Sequence, residues 1–406
     1  MEKPSRLRWK RWLSLLLIVV LIAGYGTWTL KRPLPQLTPV LASSEIKAKV
    51  PAGTLTWPTA GQAAVGIEGT SILQTNGPQT SLPTASTAKL ITALSVLRQK
   101  PLAPGQQGPI ITLTASDVAL FNSYNAQGGS VVPVKAGEQI SEYQMLQALM
   151  LPSANNMADS LAIWGFGSLN AYADYANEYV SQLGLRATHI GSDASGLAPN
   201  TTSSAHDLVK LGETAMENPV LAGIVGQPTA SGLPIVGDVK NVNFLLGTKN
   251  IVGVKTGNSD EAGGVFVGAA RTNVNGKPVT IVTAVLGSPT LFVAMKDSLN
   301  LINSAQANFK PVAVVKSGTV VGSYNVPWGG SIPAVAASDL SVSAWASSSI
   351  AADIHLNPLK VPARPGDIVG GATIKKSALA DQKSIPLVLK SIPGKASLGW
   401  RLLHPF

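Results

Sequence analysis

Nineteen consecutive residues without a charge, Trp12 to Leu30, constrain this chain more than any other feature. Leu13 to Ala23 is almost purely aliphatic, and as a helix the whole run spans about 28 Å, close to the hydrocarbon thickness of a bilayer. Trp12, Tyr25 and Trp28 stand near its ends, where amphipathic rings favour the membrane interface. Five basic residues precede the run (Lys3, Arg6, Arg8, Lys10, Arg11) and only Lys31 and Arg32 follow it closely. That bias keeps the N-terminus in the cytoplasm and sends the rest outward. A cleaved signal peptide is the alternative, with Gly24-Tyr25-Gly26 as a weak small-x-small site. The length of the run favours a retained anchor. The expectation is therefore a basic cytoplasmic tail over 1–11, a single-pass transmembrane signal-anchor over 12–30, and all else on the extracytoplasmic side of the cell membrane.

Composition removes several function classes. The 406 residues are 45% hydrophobic, enough for sizeable cores, and the length implies more than one unit. With no cysteine, disulfide frameworks, thiolate metal sites and cysteine nucleophiles are excluded. His189, His206, His355 and His404 have no metal-binding spacing, and neither a P-loop nor a G-x-G-x-x-G fingerprint occurs. No metal and no cofactor are expected. The net charge of +10 is uneven: residues 1–32 carry +6, residues 33–310 carry −1 and residues 311–406 carry +5. The large neutral middle has no basic stripe interleaved with aromatics, so no nucleic-acid partner is expected.

Prolines at 33, 35, 39, 51 and 58, without a sustained apolar period, make 31–60 read as an extended tether. From 61 to 309 the pattern is strands, a helical block, then strands. Ala63 to Ile67 and Ser71 to Gln74 flank a Glu68-Gly69 turn, and Leu90, Ile91, Leu94 and Leu97 mark one face of a helix starting near Ser86. Tyr143 to Leu183 is Ala-rich and helical, interrupted at Leu151-Pro152-Ser153. Ile251 to Lys255, Val265 to Arg271 and Val279 to Leu286 are strand-like, the last two joined by Asn273-Val-Asn-Gly276. This order is an α+β pattern. Residues 310–406, with no glutamate, nine prolines and nine glycines, read as a small all-β domain.

Three short motifs fall within the middle region. Ser86-Thr-Ala-Lys89 puts a hydroxyl and an amine three residues apart on one helical face. A serine becomes a nucleophile when a base takes its proton, and a desolvated lysine beside other cations can be that base. Isolated, the pattern is weak: Ser44-Glu-Ile-Lys47 shares it, within the proline-rich stretch. Ser153-Ala-Asn155 follows Leu151-Pro152 and starts the next helix. Helix capping would account for both side chains on their own. Lys255-Thr-Gly257 closes a strand, where a cation, a hydroxyl and a small residue suit a substrate carboxylate. Lys316-Ser-Gly318 is similar but lies in the expected β domain.

In this order, spaced 67 and 102 residues apart, the three motifs resemble those of the penicillin-recognising serine hydrolases, and most closely the low-molecular-mass penicillin-binding D-alanyl-D-alanine carboxypeptidases. The resemblance covers about residues 60 to 400 and extends to Pro83–Leu90, Pro152–Asp159, Ser203–Asp207 and Gly253–Asn258. It implies a β-lactamase/transpeptidase-like α+β fold, with a central antiparallel sheet, a helical lobe and a small C-terminal all-β domain. It also implies that Ser86 is acylated, Lys89 accepts its proton and Ser153 relays a proton to the leaving amine. Asn155 would hold the substrate amide, and Lys255 and Thr256, with Gly257 beside them, would bind the terminal carboxylate. The oxyanion hole maps onto the backbone N–H groups of Ser86 and Asn258. Many relatives carry histidine where this chain has Asn258, but only the backbone is needed there. The implied partners are peptidoglycan stem peptides ending in D-Ala-D-Ala, with β-lactams as inhibitors. A D,D-endopeptidase, a transpeptidase, a β-lactamase and a wall-binding or sensor module without turnover are the alternatives on the same residues. The E-x-x-L-N element of class A β-lactamases does not occur between Asn155 and Lys255.

Overall fold

The computed structural model describes residues 6–375, 379 and 382–404. It begins with helix α1 (Arg6–Lys31), which contains the whole uncharged run. Of the expected tail 1–11, residues 1–5 lie outside the described residues, and Arg6 to Arg11 simply continue the helix. Leu13 to Ile22 are exposed, so among the described residues nothing covers this stretch of α1. Among the described residues this is the one helix long and apolar enough to cross a membrane, a test that a signal sequence also passes. Pro33 follows its end, where a helix cannot easily continue.

The described chain forms two compact units, Ala52–Phe309 and a second made of Met1–Pro51 with Lys310–Phe406. The centre of the first is a five-stranded antiparallel sheet in the order 251–259, 263–274, 277–288, 62–67, 73–76. The hairpin between its second and third strands turns at Asn275 and Gly276, both at positive φ, as a tight hairpin requires. Helices α2 (Lys89–Gln99), α3 (Ala115–Ala126), α4 (Glu142–Met150), α5 (Asn155–Phe166) and α6 (Leu169–Gln182) form the helical lobe. Helix α2 packs against α4, α5 and α6, so Lys89 to Leu97 is buried on every side rather than on one face. Its polar groups are therefore paired inside: the Thr92 hydroxyl donates to the Ala194 carbonyl at 2.6 Å and meets the Tyr172 hydroxyl at 2.8 Å.

Helices α7 (Ala205–Glu217), α8 (Pro219–Val225) and α9 (Leu291–Gln306) complete the unit. Helices α7 and α9 cover opposite faces of the sheet. A Cβ on Gly212 of α7 would lie within 2.8 Å of Val267 and Val282, whereas Ser298 of α9 hydrogen-bonds Thr283. Adjacent residues of a strand point to opposite faces. With both faces covered, Gln62 to Ile67 is buried at every position, which explains its lack of polar alternation.

The second unit corrects one expectation. Residues 31–60 are not an extended tether. Pro39–Leu41 and Glu45–Lys49 are the two edge strands of a seven-stranded sheet whose other members all come from 320–389. Leu37 and Val50 are buried, and Leu37 exchanges two backbone hydrogen bonds with Leu359. The misleading prolines sit at a strand start (Pro39) and just past a strand end (Pro51), where a missing N–H costs no ladder bond. The alternation Glu45-Ile-Lys-Ala-Lys49 is that of an edge strand with one face on the core and lysines outward. The unit also contains all but the first residue of strand Phe309–Val315, paired with Leu340–Trp345, and the short helix α10 (Leu398–Leu403).

This assignment is testable at Leu37. Truncating a core leucine costs about 2–5 kcal/mol, whereas the same change in a solvated tether costs next to nothing. Leu37→Ala should therefore lower the denaturant midpoint of the second unit clearly, and an unchanged midpoint would return the segment to a tether.

Candidate active site

The Ser86 segment is a 3-10 turn, Ala85–Ala88, leading directly into α2. No side chain caps the turn, so Ser86 is not consumed as a helix cap. Ala85 before it has φ +43°, a conformation that costs a non-glycine residue energy and that close packing must hold. Two neighbours supply that packing. Gly196 lies so close that a Cβ there would be 2.2 Å from the Ala85 carbonyl, and a Cβ on Gly257 would be 3.0 Å from the Thr84 carbonyl and 3.2 Å from the Thr87 nitrogen. Gly257 is thus the residue that lets the edge strand 251–259 lie against the Ser86 turn.

Lys89 is entirely buried. Its ammonium donates to Ser86 Oγ at 2.8 Å, Asn155 Oδ1 at 2.7 Å and the Ser195 carbonyl at 2.9 Å. Three acceptors satisfy its three donors, but burial still disfavours the charge. Its pKa falls to about 7, pulled down by desolvation and partly held up by Asp193 and Asp159. At neutral pH the amine is therefore free for a good part of the time, hydrogen-bonded to a serine hydroxyl.

The Ser153 motif occupies the turn between α4 and α5. Ser153 itself has φ +65°, and α5 is capped at Ala154 with no side-chain bond. Neither Ser153 nor Asn155 acts as a helix cap, and both side chains turn inward. Asn155 bonds Lys89, and its own backbone N–H donates to the Ser130 carbonyl at 2.7 Å. Ser153 Oγ accepts from Lys255 at 2.9 Å. Lys255 is also buried and further bonded to the Thr256 carbonyl at 3.1 Å. Burial, then the nearby Lys89, holds its pKa well below the ordinary lysine value. Asn258 lies on the same edge strand, paired with Gly264.

One loop of the site was missed from sequence, 193–198. Asp193 binds it together: Oδ1 accepts from the Ser195 nitrogen at 2.7 Å, the Ser195 hydroxyl at 3.0 Å and the Gly196 nitrogen, while Oδ2 accepts from the Ala198 nitrogen at 2.6 Å. Asp159 on α5 anchors the same loop through the Ala194 nitrogen at 2.9 Å and takes the Tyr124 hydroxyl at 2.6 Å. The loop's contribution is a backbone carbonyl, which leaves no residue-type signature. The only available sign was the turn-rich run Ser192-Asp-Ala-Ser-Gly196.

The lookalike motifs lie elsewhere. Lys47 is exposed on an edge strand and paired with Glu45 at 3.2 Å. Ser317 sits in an exposed turn held by Asp339 at 2.7 Å. Among the described residues no group of histidines and carboxylates is placed to hold a metal.

The family model for D-alanyl-D-alanine carboxypeptidases matches residues 57–290, more than half of the chain and all of the constellation above. The chain belongs to this family. It is a serine peptidase of the penicillin-binding type. The D-alanyl-D-alanine carboxypeptidase DacA of Escherichia coli is 25% identical over 324 residues, 76% of this chain and 77% of that one. A D-alanyl-D-alanine endopeptidase of Pseudomonas aeruginosa is 31% identical over 217 residues, 52% and 66% of the two chains. In three dimensions the carboxypeptidase resembles penicillin binding protein 5 from Haemophilus influenzae. That match has a TM-score of 0.57 and 21% identity over 85% of this chain and all of that one, and it bears on the fold.

The role given to Asp193 has a direct check. An asparagine cannot accept at both side-chain atoms. Asp193→Asn should cost about 1–3 kcal/mol of stability and slow covalent labelling by a fluorescent penicillin at least about tenfold, by loosening the Ser195 carbonyl from Lys89. Labelling at the unaltered rate would show that the loop does not support the lysine.

Proposed function

We propose that the carboxypeptidase removes the terminal D-Ala of peptidoglycan stem peptides through an acyl-enzyme on Ser86. The observation that carries this reading is the Lys89 amine, 2.8 Å from Ser86 Oγ and with a pKa near 7. As a free base Lys89 takes the Ser86 proton while Oγ attacks the penultimate D-Ala carbonyl. Oxyanion charge is met by the backbone N–H groups of Ser86 and Asn258. Ser153 Oγ accepts from Lys255, so its own proton remains to be passed to the leaving amine. Asn155 orients the substrate amide. Lys255 and Thr256 receive the terminal carboxylate, an anion that compensates two buried lysines lying close together. Water then releases the acyl group by the same route in reverse. β-Lactams enter as inhibitors because they carry a carboxylate and an acylating carbonyl in one molecule.

Fast β-lactam hydrolysis is not part of this reading. The carboxylates nearest Lys89, Asp159 and Asp193, are engaged with backbone N–H groups, and Asp159 also with Tyr124. A D,D-endopeptidase reading uses the same residues and is favoured by the 31% identical relative. Product analysis separates the two: a pentapeptide loses free D-Ala, whereas a cross-linked dimer is cut in two. We further infer that α1 stays in place as a single-pass anchor, with both units on the extracytoplasmic side. The support is its uncharged length and the excess of basic residues before it.

Mass mapping of the adduct tests the nucleophile. A labelled penicillin should modify Ser86, and full labelling of Ser86→Ala would remove it from the mechanism. Lys255→Ala should reduce both peptide turnover and acylation, by about 10²-fold or more, while Lys316→Ala should leave both intact. Equal losses in the two variants would mean that the carboxylate site is misplaced.

A further inference from the structure

The outer end of α1 is not a free stalk. Its last carbonyls have no helical donors of their own, and a distant side chain supplies them. Arg401 Nη1 donates to the carbonyls of Thr29 at 3.3 Å, Leu30 at 3.0 Å and Arg32 at 3.2 Å. The Tyr25 hydroxyl donates to the Leu402 carbonyl at 2.7 Å, and Arg32 Nη2 donates to the Arg401 carbonyl at 3.2 Å. A cation at a helix C-terminus also complements the dipole. Thr29 is fully buried. Helix α10 is held in turn by Trp400, which packs edge-on against Trp328 and stacks on His404. Helix α1 is thus built into the second unit at the point where it leaves its uncharged span.

Beside this clasp is a cavity of about 420 Å³ whose walls include Leu30, Val361, Pro362 and Ile392, with Lys395 and Arg401 as its cations. Ile392 in its wall is 55% exposed, Leu398 and Leu403 of α10 are 65% and 79% exposed, and Trp28 is exposed on α1. Lys31, Arg32, Lys390, Lys395 and Arg401 lie in the two segments that meet here, 26–36 and 390–404, and neither segment contains an aspartate or glutamate. Arg401 spends only Nη1 on the helix end, which leaves Nε and Nη2 for another acceptor.

We propose that α10 and the outer end of α1 form a lipid-docking surface whose cavity seats one anionic phospholipid of the outer leaflet. The headgroup phosphate sits on Arg401 and Lys395, and an acyl chain runs down past Leu30 along α1. Continuity with the span identifies the occupant, because the cavity opens where α1 would leave the hydrocarbon and the uncovered leucines lie at that same level. Charge selects among lipids, since a guanidinium and an ammonium pair with a phosphate that no neighbouring cation offsets. The proposal rests on the reading of α1 as a retained anchor.

The full-length chain, purified in detergent, is mixed with equal amounts of phosphatidylglycerol and phosphatidylcholine and examined by native mass spectrometry. One bound phosphatidylglycerol should predominate by at least about fivefold. Lys395→Gln should reduce that preference, and the double variant with Arg401→Gln should abolish it. Equal binding of the two lipids by the unaltered chain, or a preference untouched in the double variant, overturns the proposal. Alkaline extraction of cell membranes tests the underlying anchor separately. Release of a shortened soluble protein would remove both readings, whereas a retained protein that binds lipids without preference would remove this one alone.

Discussion

The site is organised around an amine with no access to water. Lys89 lies wholly inside the peptidase unit, and its three donors are matched to a serine hydroxyl, an amide oxygen and a loop carbonyl. An ammonium on an exposed lysine would stay protonated far above neutral pH and could not act as a base. Burial brings it to about 7, while Asp159 and Asp193 keep the charged form from becoming prohibitive. Lys255 adds a second buried amine that, among the described residues, pairs with no carboxylate and is bonded instead to Ser153 and Thr256. Burial and the nearby Lys89 disfavour the charge on Lys255, and under the proposed function a substrate carboxylate bound there would favour it.

The surrounding fold is what makes this environment affordable. Helix α2 must be enclosed on all sides to desolvate Lys89, and α4, α5 and α6 enclose it. The edge strand must approach the Ser86 turn, and Gly257 permits the approach. Ala85, just before Ser86, and Ser153 itself are both held at positive φ. Such conformations persist only where packing over-determines them. For Ala85 that packing is the edge strand at Gly257 on one side and the 193–198 loop at Gly196 on the other.

Sequence carried the parts of this arrangement that depend on side-chain identity at short spacing. Ser86 with Lys89, Ser153 with Asn155, and Lys255 with Thr256 were each recognisable, and their convergence came from the order of the motifs. The strands around Ala63, Val265 and Val279 were legible from composition, as was the hairpin at Asn275-Gly276. The Ser195 carbonyl was not, because any residue has one. Asp193 acts through four hydrogen bonds from three neighbours of the same loop, a pattern that looks like ordinary turn chemistry in one dimension. The edge strands 39–41 and 45–49 were read as a tether because their partners lie some 280 to 310 residues away in sequence. Their prolines argue against strands only if the strands are central. Helix α10 is six residues long, too short for any periodicity to show.

The central claim is that Lys89 works as a neutral base beside Ser86. The most direct measurement is the second-order rate of Ser86 acylation by a penicillin from pH 5 to pH 10, followed by stopped-flow on the purified chain. The rate should climb from the acid side and level off with an apparent pKa near 7, the value to which burial brings Lys89. A rise that continues to about pH 10, where an ordinary lysine titrates, would contradict this account, as would a rate that is flat across the range.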